Sequence, residues 1–259
     1  MAYAAHYFRG AVQDWIGHGW LSRGQWLIDF GSQEFVADPR EVRREAADFL
    51  KGNGKAPGTP DGRPRVRDLY AALGINYVSI DVDGNASSFF DLNTFSTPHY
   101  WRDAFDFVNN EGTIEHLANP INGFHVAHDM ARVGGVIRHS FPLIGWADHG
   151  FVNLTTKFYA HLVGDNAYEV LRLLAIVSEP TPLNDPFFTT CYGLADLDEN
   201  RVQPLPPPTI TNIWGELVYR KTSDRPFVVP VDHVEGSNAG TIKRRLNENF
   251  GRISWLDGS

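Results

Sequence analysis

Residues 105–120 read FDFVNNEGTIEHLANP. The run over Phe105–Asn109 is apolar enough for a buried strand, and it breaks at Asn109-Asn110-Glu111-Gly112 into polar and turn residues. Ile114-Glu115-His116-Leu117 follow, so an acid and an imidazole come directly after the carboxyl end of that strand. Beyond them, Asn122–Arg132 reads as a helix, Gly134-Gly135 as a turn, and Val136–Ser140 as the next strand, with Pro142 after it.

The same alternation extends both ways. Upstream, Trp26–Phe30 reads as a buried strand that stops at Gly31-Ser32-Gln33. A polar helix over Glu41–Leu50 is expected after Asp38 as N-cap and Pro39 in the first turn. Val66–Leu73 reads as a short helix ended by Gly74. Tyr77–Asp81 is a strand with an acid at its carboxyl end, and Ala86–Asp91 leads into another. Downstream, Thr156–Asn166 reads as a helix, Leu171–Ser178 as a strand, and Ile213–Lys221 as the last strand. This pattern predicts an α/β protein with a doubly wound, mostly parallel sheet and helices on both faces. Ligands of such sheets lie beyond the carboxyl ends of the strands, at the switch in strand order.

Length and composition set the frame. A chain of 259 residues with 42% hydrophobic and 21% charged side chains is of ordinary globular character. It suits a single domain over 1–259: an N-terminal helical cap (1–25), a core (26–222) and a tail (223–259). Within the cap, Ala4–Trp20 has amphipathic helical spacing and either closes over a site or covers the sheet. The core carries two insertions. Residues 51–64 (KGNGKAPGTPDGRP) are dense in Gly and Pro, and 179–208 end in three consecutive prolines. The basic run Lys243-Arg244-Arg245 in the tail reads as a solvated face. The net charge of −8 argues against a nucleic-acid partner, which would need clustered Lys and Arg. No apolar run is long enough for a signal peptide or a membrane span. The single cysteine excludes an intramolecular disulfide and a multi-cysteine zinc site. A small-molecule protein of the cytoplasm, with no membrane partner, is the expectation.

Acids at strand ends carry the chemical signal. A carboxylate at the end of the second strand can accept both hydroxyls of a ribose, and a glycine after the first strand lets the backbone approach a cofactor. A dinucleotide would need G-x-G-x-x-G after the first strand to seat its pyrophosphate, and only Gly31 is present there. The 51–64 loop is not a phosphate cradle either, because Ala56 follows Lys55. A nucleoside cofactor without phosphate fits these residues better.

On these motifs the chain resembles the S-adenosylmethionine-dependent methyltransferases with a Rossmann-like fold. FDFVNNEGTIEHLANP resembles their fourth-strand segment, MARVGGVIRHSFP (130–142) the helix end and Gly-Gly before their fifth strand, and YVSIDVDG (77–84) their ribose-binding second strand. The resemblance runs from Trp26 to Lys221 and departs most in the first turn, reduced here to DFGSQ. It implies a seven-stranded sheet with the last strand antiparallel, and S-adenosyl-L-methionine as cofactor. By resemblance, Asp29, Gly31 and Gln33 line the methionine end of the cofactor. Asp81 holds the ribose, with Asp83 as the alternative, and Asp91 and Leu92 face the adenine. Asn109, Asn110 and Glu111 lie beside the sulfonium, and His116 lies near the cleft.

The loop Gly145-Trp146-Ala147-Asp148-His149-Gly150-Phe151 would then face the substrate. His149, and secondarily His116, are candidate catalytic bases, since imidazole titrates near neutrality; the other reading of His149 is a loop anchor. Trp146, Phe151, Tyr159 and the N-terminal aromatics Tyr3, Tyr7 and Phe8 are expected to wall a substrate pocket. No metal is expected. His125 and His128 lack an identifiable third ligand, and the Asp81-x-Asp83 run lacks the Glu that closes a calcium loop. The resemblance points to methylation of a small molecule in biosynthesis. Two alternatives stand beside it: intramolecular cyclisation of the cofactor to azetidine-2-carboxylate and methylthioadenosine, and a non-catalytic binding protein on the same fold.

Overall fold

The computed structural model describes residues 2–3, 5–32, 34–35, 44, 65–146, 149–177, 181–182, 209–210 and 212–232. The helix expected at 41–50 (Arg44 apart), both insertions (Thr181–Pro182 apart) and the basic run of the tail lie outside the described residues.

Seven strands build one sheet: β1 (Trp26–Phe30), β2 (Asn76–Asp81), β3 (Ser88–Phe89), β4 (Phe105–Glu111), β5 (Ala131–Ile144), β6 (Glu169–Val177) and β7 (Ile213–Arg220). Their spatial order is β3-β2-β1-β4-β5-β7-β6. The first six run parallel, and β7 is antiparallel to both neighbours, β5 and β6. The order reverses between β1 and β4, so the crevice of a doubly wound sheet falls at the carboxyl ends of those two strands. Two short pairings stand apart, Ala2–Tyr3 parallel with Glu34–Phe35 and Thr181–Pro182 antiparallel with Thr209–Ile210.

Period-two alternation sorts the side chains of β1, β4, β5 and β7 onto the two faces. Helices α1 (Ala5–Gly17) and α2 (Val66–Ala72) cover one face, where Phe8, Val12, Trp15, Leu69 and Tyr70 pack against Leu27, Phe107, Val136 and Val218. Trp15 stacks on Phe107 with ring centroids 5.0 Å apart. The N-terminal helix therefore covers the sheet, the second of the two readings its sequence allowed. On the other face, α3 (Pro120–Met130) and α4 (Thr156–Asp165) bury Phe124, Ala127, Met130, Tyr159 and Leu162 against Ile28, Phe30, Val108, Ile137 and Leu217. Asn119 and Thr155 cap these helices, and Pro120 takes the first helical position, two residues before the expected start.

The fifth strand differs from its sequence reading. It begins at Ala131, runs through Gly134-Gly135 and contains Pro142. The glycines form an irregularity within the strand, where the pairing with β4 slips between Phe105 and Phe107. Pro142 is tolerated because the ladder to β4 ends at Ser140, beyond which β5 pairs with β7 alone. Among the described residues, no helix is long and apolar enough to cross a membrane.

Trp15 is 1% exposed at the centre of the α1 face. Trp15→Ala is expected to lower the unfolding free energy by about 3–5 kcal/mol, measured by denaturant titration; a loss below 1 kcal/mol would show that α1 is not part of the folded core.

Candidate functional site

At the switch in strand order, β1 ends in Phe30-Gly31-Ser32. Gly31 has φ +92, a conformation that glycine adopts without strain, and its N–H bonds the carbonyl of Ile80 at 2.8 Å. The next N–H, from Ser32, donates to Asp81 Oδ2 at 2.7 Å. Asp81 closes β2, is half-buried, and also accepts the Val82 N–H at 2.6 Å. Asp83 accepts from the Ser32 hydroxyl and from the Asn85 N–H. The turn after the first strand is thus tied to both acids of the second.

Below this turn, a polar ribbon crosses the sheet face under α1. Asp29 is fully buried and accepts from Asn109 Nδ2 at 2.6 Å. Asn109 Oδ1 in turn accepts from Arg138 Nη1 at 2.9 Å. Arg138, itself fully buried, pairs with Glu111 and with Glu216 Oε2 (2.7 Å), and its guanidinium lies 5.1 Å from the Trp15 ring centroid. Glu216 also meets Arg172 at 3.4 Å, and Arg172 binds Asp14 of α1 and lies over Trp20. Burial pushes the Asp29 carboxyl up to about 7, against the pull of hydrogen bonds from Asn109 and Tyr77.

On the opposite face of β4, Asn110 Oδ1 accepts the N–H groups of Thr113 (3.0 Å) and Ile114 (3.1 Å). It thereby fixes a 3-10 turn, Ile114–His116, directly beyond the strand. Asn110 Nδ2 meets His139, whose other ring nitrogen meets the Tyr219 hydroxyl. Burial lowers the His139 pKa to about 3.

The turn presents Glu115 and His116, and the loop after β5 lays His149 beside them. His149 Nε2 lies 3.4 Å from Glu115 Oε1, and the His116 and His149 rings are 4.9 Å apart. The Glu115 carbonyl accepts the N–H groups of Phe151 (2.7 Å) and Val152 (3.1 Å). Just before them, Gly150 has φ +74, and a Cβ there would come 2.8 Å from that carbonyl oxygen, so only glycine lets the loop approach this closely. Trp146 and Trp214 meet each other and His149 edge-on, with centroids 5.1 to 5.7 Å apart. Glu115 is 4% exposed, and neither carboxylate oxygen has a hydrogen-bond partner among the described residues. Burial pushes its pKa up to about 7. Burial also lowers the pKa of His116, with His149 adding to the effect.

The expected site residues are therefore distributed over several environments. Gly31 and Asp81 meet at the switch point, and His116, His149 and Trp146 form one cluster at the ends of β4 and β5. Asp29, Asn109 and Glu111 point into the ribbon, and Asn110 into the opposite face. Asp91 is half-buried and closes its own turn, accepting from Asn93 and Thr94. Leu92 is in the core. Tyr159 stacks on Phe141 at 3.8 Å in the core and borders a narrow cavity with Asn110 and Glu115. Phe151 is 75% exposed, whereas Phe8 is buried between α1 and α2, edge-on to Tyr70. Gln33 and the side chains of Tyr3 and Tyr7 lie outside the described residues. His128 is engaged by the Tyr168 hydroxyl and the Arg225 carbonyl, and His125 stacks on Phe227. Sequence reasoning missed Glu115, Arg138 and Glu216 as functional candidates. A polar residue at an inward position of a strand buried on both faces was the available signal for Arg138. A cavity of about 390 Å³, walled by Phe89, Phe90, Phe95, Tyr100 and Trp101, opens beside β3.

The strand order, with β7 alone reversed, is that of a doubly wound, mostly parallel α/β sheet whose switch point lies between β1 and β4. No protein-family model matches the chain, and no curated protein does. Solved structures are similar in architecture. An S-adenosylmethionine-dependent methyltransferase from Archaeoglobus fulgidus is 11% identical, over 84% of this chain and 95% of its own, with a TM-score of 0.45. A phosphoethanolamine N-methyltransferase of Haemonchus contortus is 12% identical, over 83% of this chain and 52% of its own, with a TM-score of 0.46. The [4+2]-cyclase SpnF is 14% identical, over 82% of this chain and 80% of its own, with a TM-score of 0.39.

The ribbon makes stability pH-dependent. Asp29 holds its proton in the folded state up to about pH 7, whereas unfolded it releases it near 3.8. The folded state binds more protons between those values, so this group's contribution falls as pH rises through that window. Asp29→Asn keeps an acceptor for Asn109 and removes the effect. Relative to the parent, the variant is expected to gain about 3–4 kcal/mol between pH 4 and pH 8, measured as unfolding free energy across pH; parallel curves would contradict the buried, proton-holding carboxyl.

Proposed function

We propose that the protein is an S-adenosylmethionine-dependent enzyme that methylates a small-molecule acceptor in biosynthetic metabolism. The observation that carries this reading is the joint between the first two strands. A positive-φ glycine ends β1, and the next backbone N–H docks on the carboxylate that ends β2, at the switch in strand order. An ionised carboxylate has about four lone-pair sites, and backbone N–H groups occupy two of Asp81's. The remaining sites suit the two hydroxyls of a ribose. The residues present thus fit the nucleoside part of the cofactor, and the turn has no glycine array for a pyrophosphate.

When bound, S-adenosylmethionine supplies a methyl group already activated by its positive sulfur. The chain's own task is alignment and exclusion of water. Asp81 would hold the ribose, and Gly31 would let the backbone approach. Trp146, Trp214, His116 and His149 form the wall at the ends of β4 and β5, where an acceptor would lie. The faces of such rings suit a cationic sulfonium.

Incubation of the full chain with S-adenosylmethionine and candidate small-molecule acceptors, followed by mass spectrometry, tests the reaction. S-adenosylhomocysteine together with a methylated acceptor is expected. Methylthioadenosine formed from the cofactor alone would replace methyl transfer by cyclisation, and no turnover despite binding would leave a binding protein. Asp81→Ala removes a charged acceptor, and hydrogen bonds to charged groups contribute about 1.5–3 kcal/mol. S-adenosylhomocysteine affinity should therefore fall about 10- to 100-fold in calorimetry. Unchanged affinity would refute the ribose assignment.

A further inference from the structure

We propose that Glu115, His116 and His149 form a binding site for a divalent transition-metal ion. Each offers one ligand atom, and these atoms lie within 4.8 Å of one another. A zinc-like ion holds nitrogen and oxygen donors at about 2.0–2.2 Å, which brings the donors to about 3–3.5 Å from each other. His149 Nε2 and Glu115 Oε1 already stand at 3.4 Å. The remaining adjustment falls to His116, whose ring is exposed and turns about its own side-chain bonds.

The second, independent observation is Glu115 itself. Its side chain is 4% exposed, and both carboxylate oxygens lack a hydrogen-bond partner among the described residues. Buried polar groups are almost always satisfied, and a buried acid that faces His149 Nε2 at 3.4 Å without a hydrogen bond to it points to an ion or water between them. The cluster is also built rather than incidental. Asn110 fixes the turn that carries Glu115 and His116, and the Glu115 carbonyl pins the segment after His149 through Gly150. The Trp146 and Trp214 rings brace His149 from the side.

Two imidazoles and one carboxylate select Zn²⁺ or Fe²⁺ over Mg²⁺ or Ca²⁺, which take shells made of oxygen. Three protein donors also leave a coordination position for water or for an oxygen of a small molecule. The site stands without the proposed transfer reaction, because metal binding is read directly and without S-adenosylmethionine.

The test is calorimetric titration of the metal-stripped full chain with Zn²⁺, with Mg²⁺ for comparison, alongside the visible absorption of added Co²⁺. One Zn²⁺ per chain is expected, with a Kd of about 1 µM or tighter and no comparable Mg²⁺ binding. Glu115→Gln and His149→Ala should each weaken it at least about 100-fold and change the Co²⁺ spectrum. Glu115→Gln removes only a charge, so metal-free thermal unfolding should occur no lower than in the parent, while the rise in Tm on adding Zn²⁺ disappears. His116 is exposed, so His116→Ala folds and should weaken binding about 10- to 100-fold. His125→Ala, at a half-exposed histidine outside the cluster, should bind as the parent does. Absence of 1:1 binding in the parent, or parent-like binding by the Glu115, His116 and His149 variants, would overturn the proposal.

Discussion

Arg138 is a fully buried cation in the middle of a mostly parallel sheet, and the architecture is arranged around satisfying it. Burying a guanidinium without partners would cost several kcal/mol or more. Here Glu111 from β4 and Glu216 from β7 supply the opposite charge, Asn109 supplies a neutral acceptor, and the Trp15 ring from α1 covers the group. The contacts continue to Asp29 on β1, and through Arg172 on β6 to Asp14 on α1. Five strands and one helix are thus joined by a single chain of polar contacts. A one-residue slip of β5 would turn Arg138 toward the apolar α3–α4 face, so the ribbon also constrains register.

β4 carries this constraint to the candidate site. Asn109 and Glu111 point into the ribbon, while Asn110 between them points to the other face and ties down the turn with Glu115 and His116. One strand therefore carries the ribbon on one face and the anchor of the post-strand turn on the other. Gly150 and the Glu115 carbonyl then bring the loop of β5 onto it. At the neighbouring strand ends, the Gly31 turn and Asp81 are joined by one backbone hydrogen bond.

The order of strands and helices was legible because each strand of the core is a short apolar run ending in polar or turn residues. The reversal of β7 came with the resemblance rather than from any local pattern. The fifth strand was misread because Gly-Gly and proline are local turn signals, and the neighbouring ladders decide whether a strand tolerates them. Gly31 and Asp81, both expected at strand ends, do stand together, because parallel pairing of β1 and β2 brings those ends side by side. Asp91, expected to face adenine, also accepts from Asn93 and Thr94 in its own turn, a short-range pattern that tight turns favour. Tyr159 was read as a pocket wall and is largely core, since its position on α4 faces the sheet. Arg138, Glu216 and Glu115 escaped because partners far apart in sequence determine what a buried charge does.

We propose that a nucleoside binds at the joint between Gly31 and Asp81, at the switch in strand order. A crystal structure of the full chain grown with saturating S-adenosylhomocysteine tests it most directly. The nucleoside is expected beside the Gly31 turn, with both ribose hydroxyls within hydrogen-bond distance of the Asp81 carboxylate. A ligand bound elsewhere on the molecule, or none at that crevice, would contradict it.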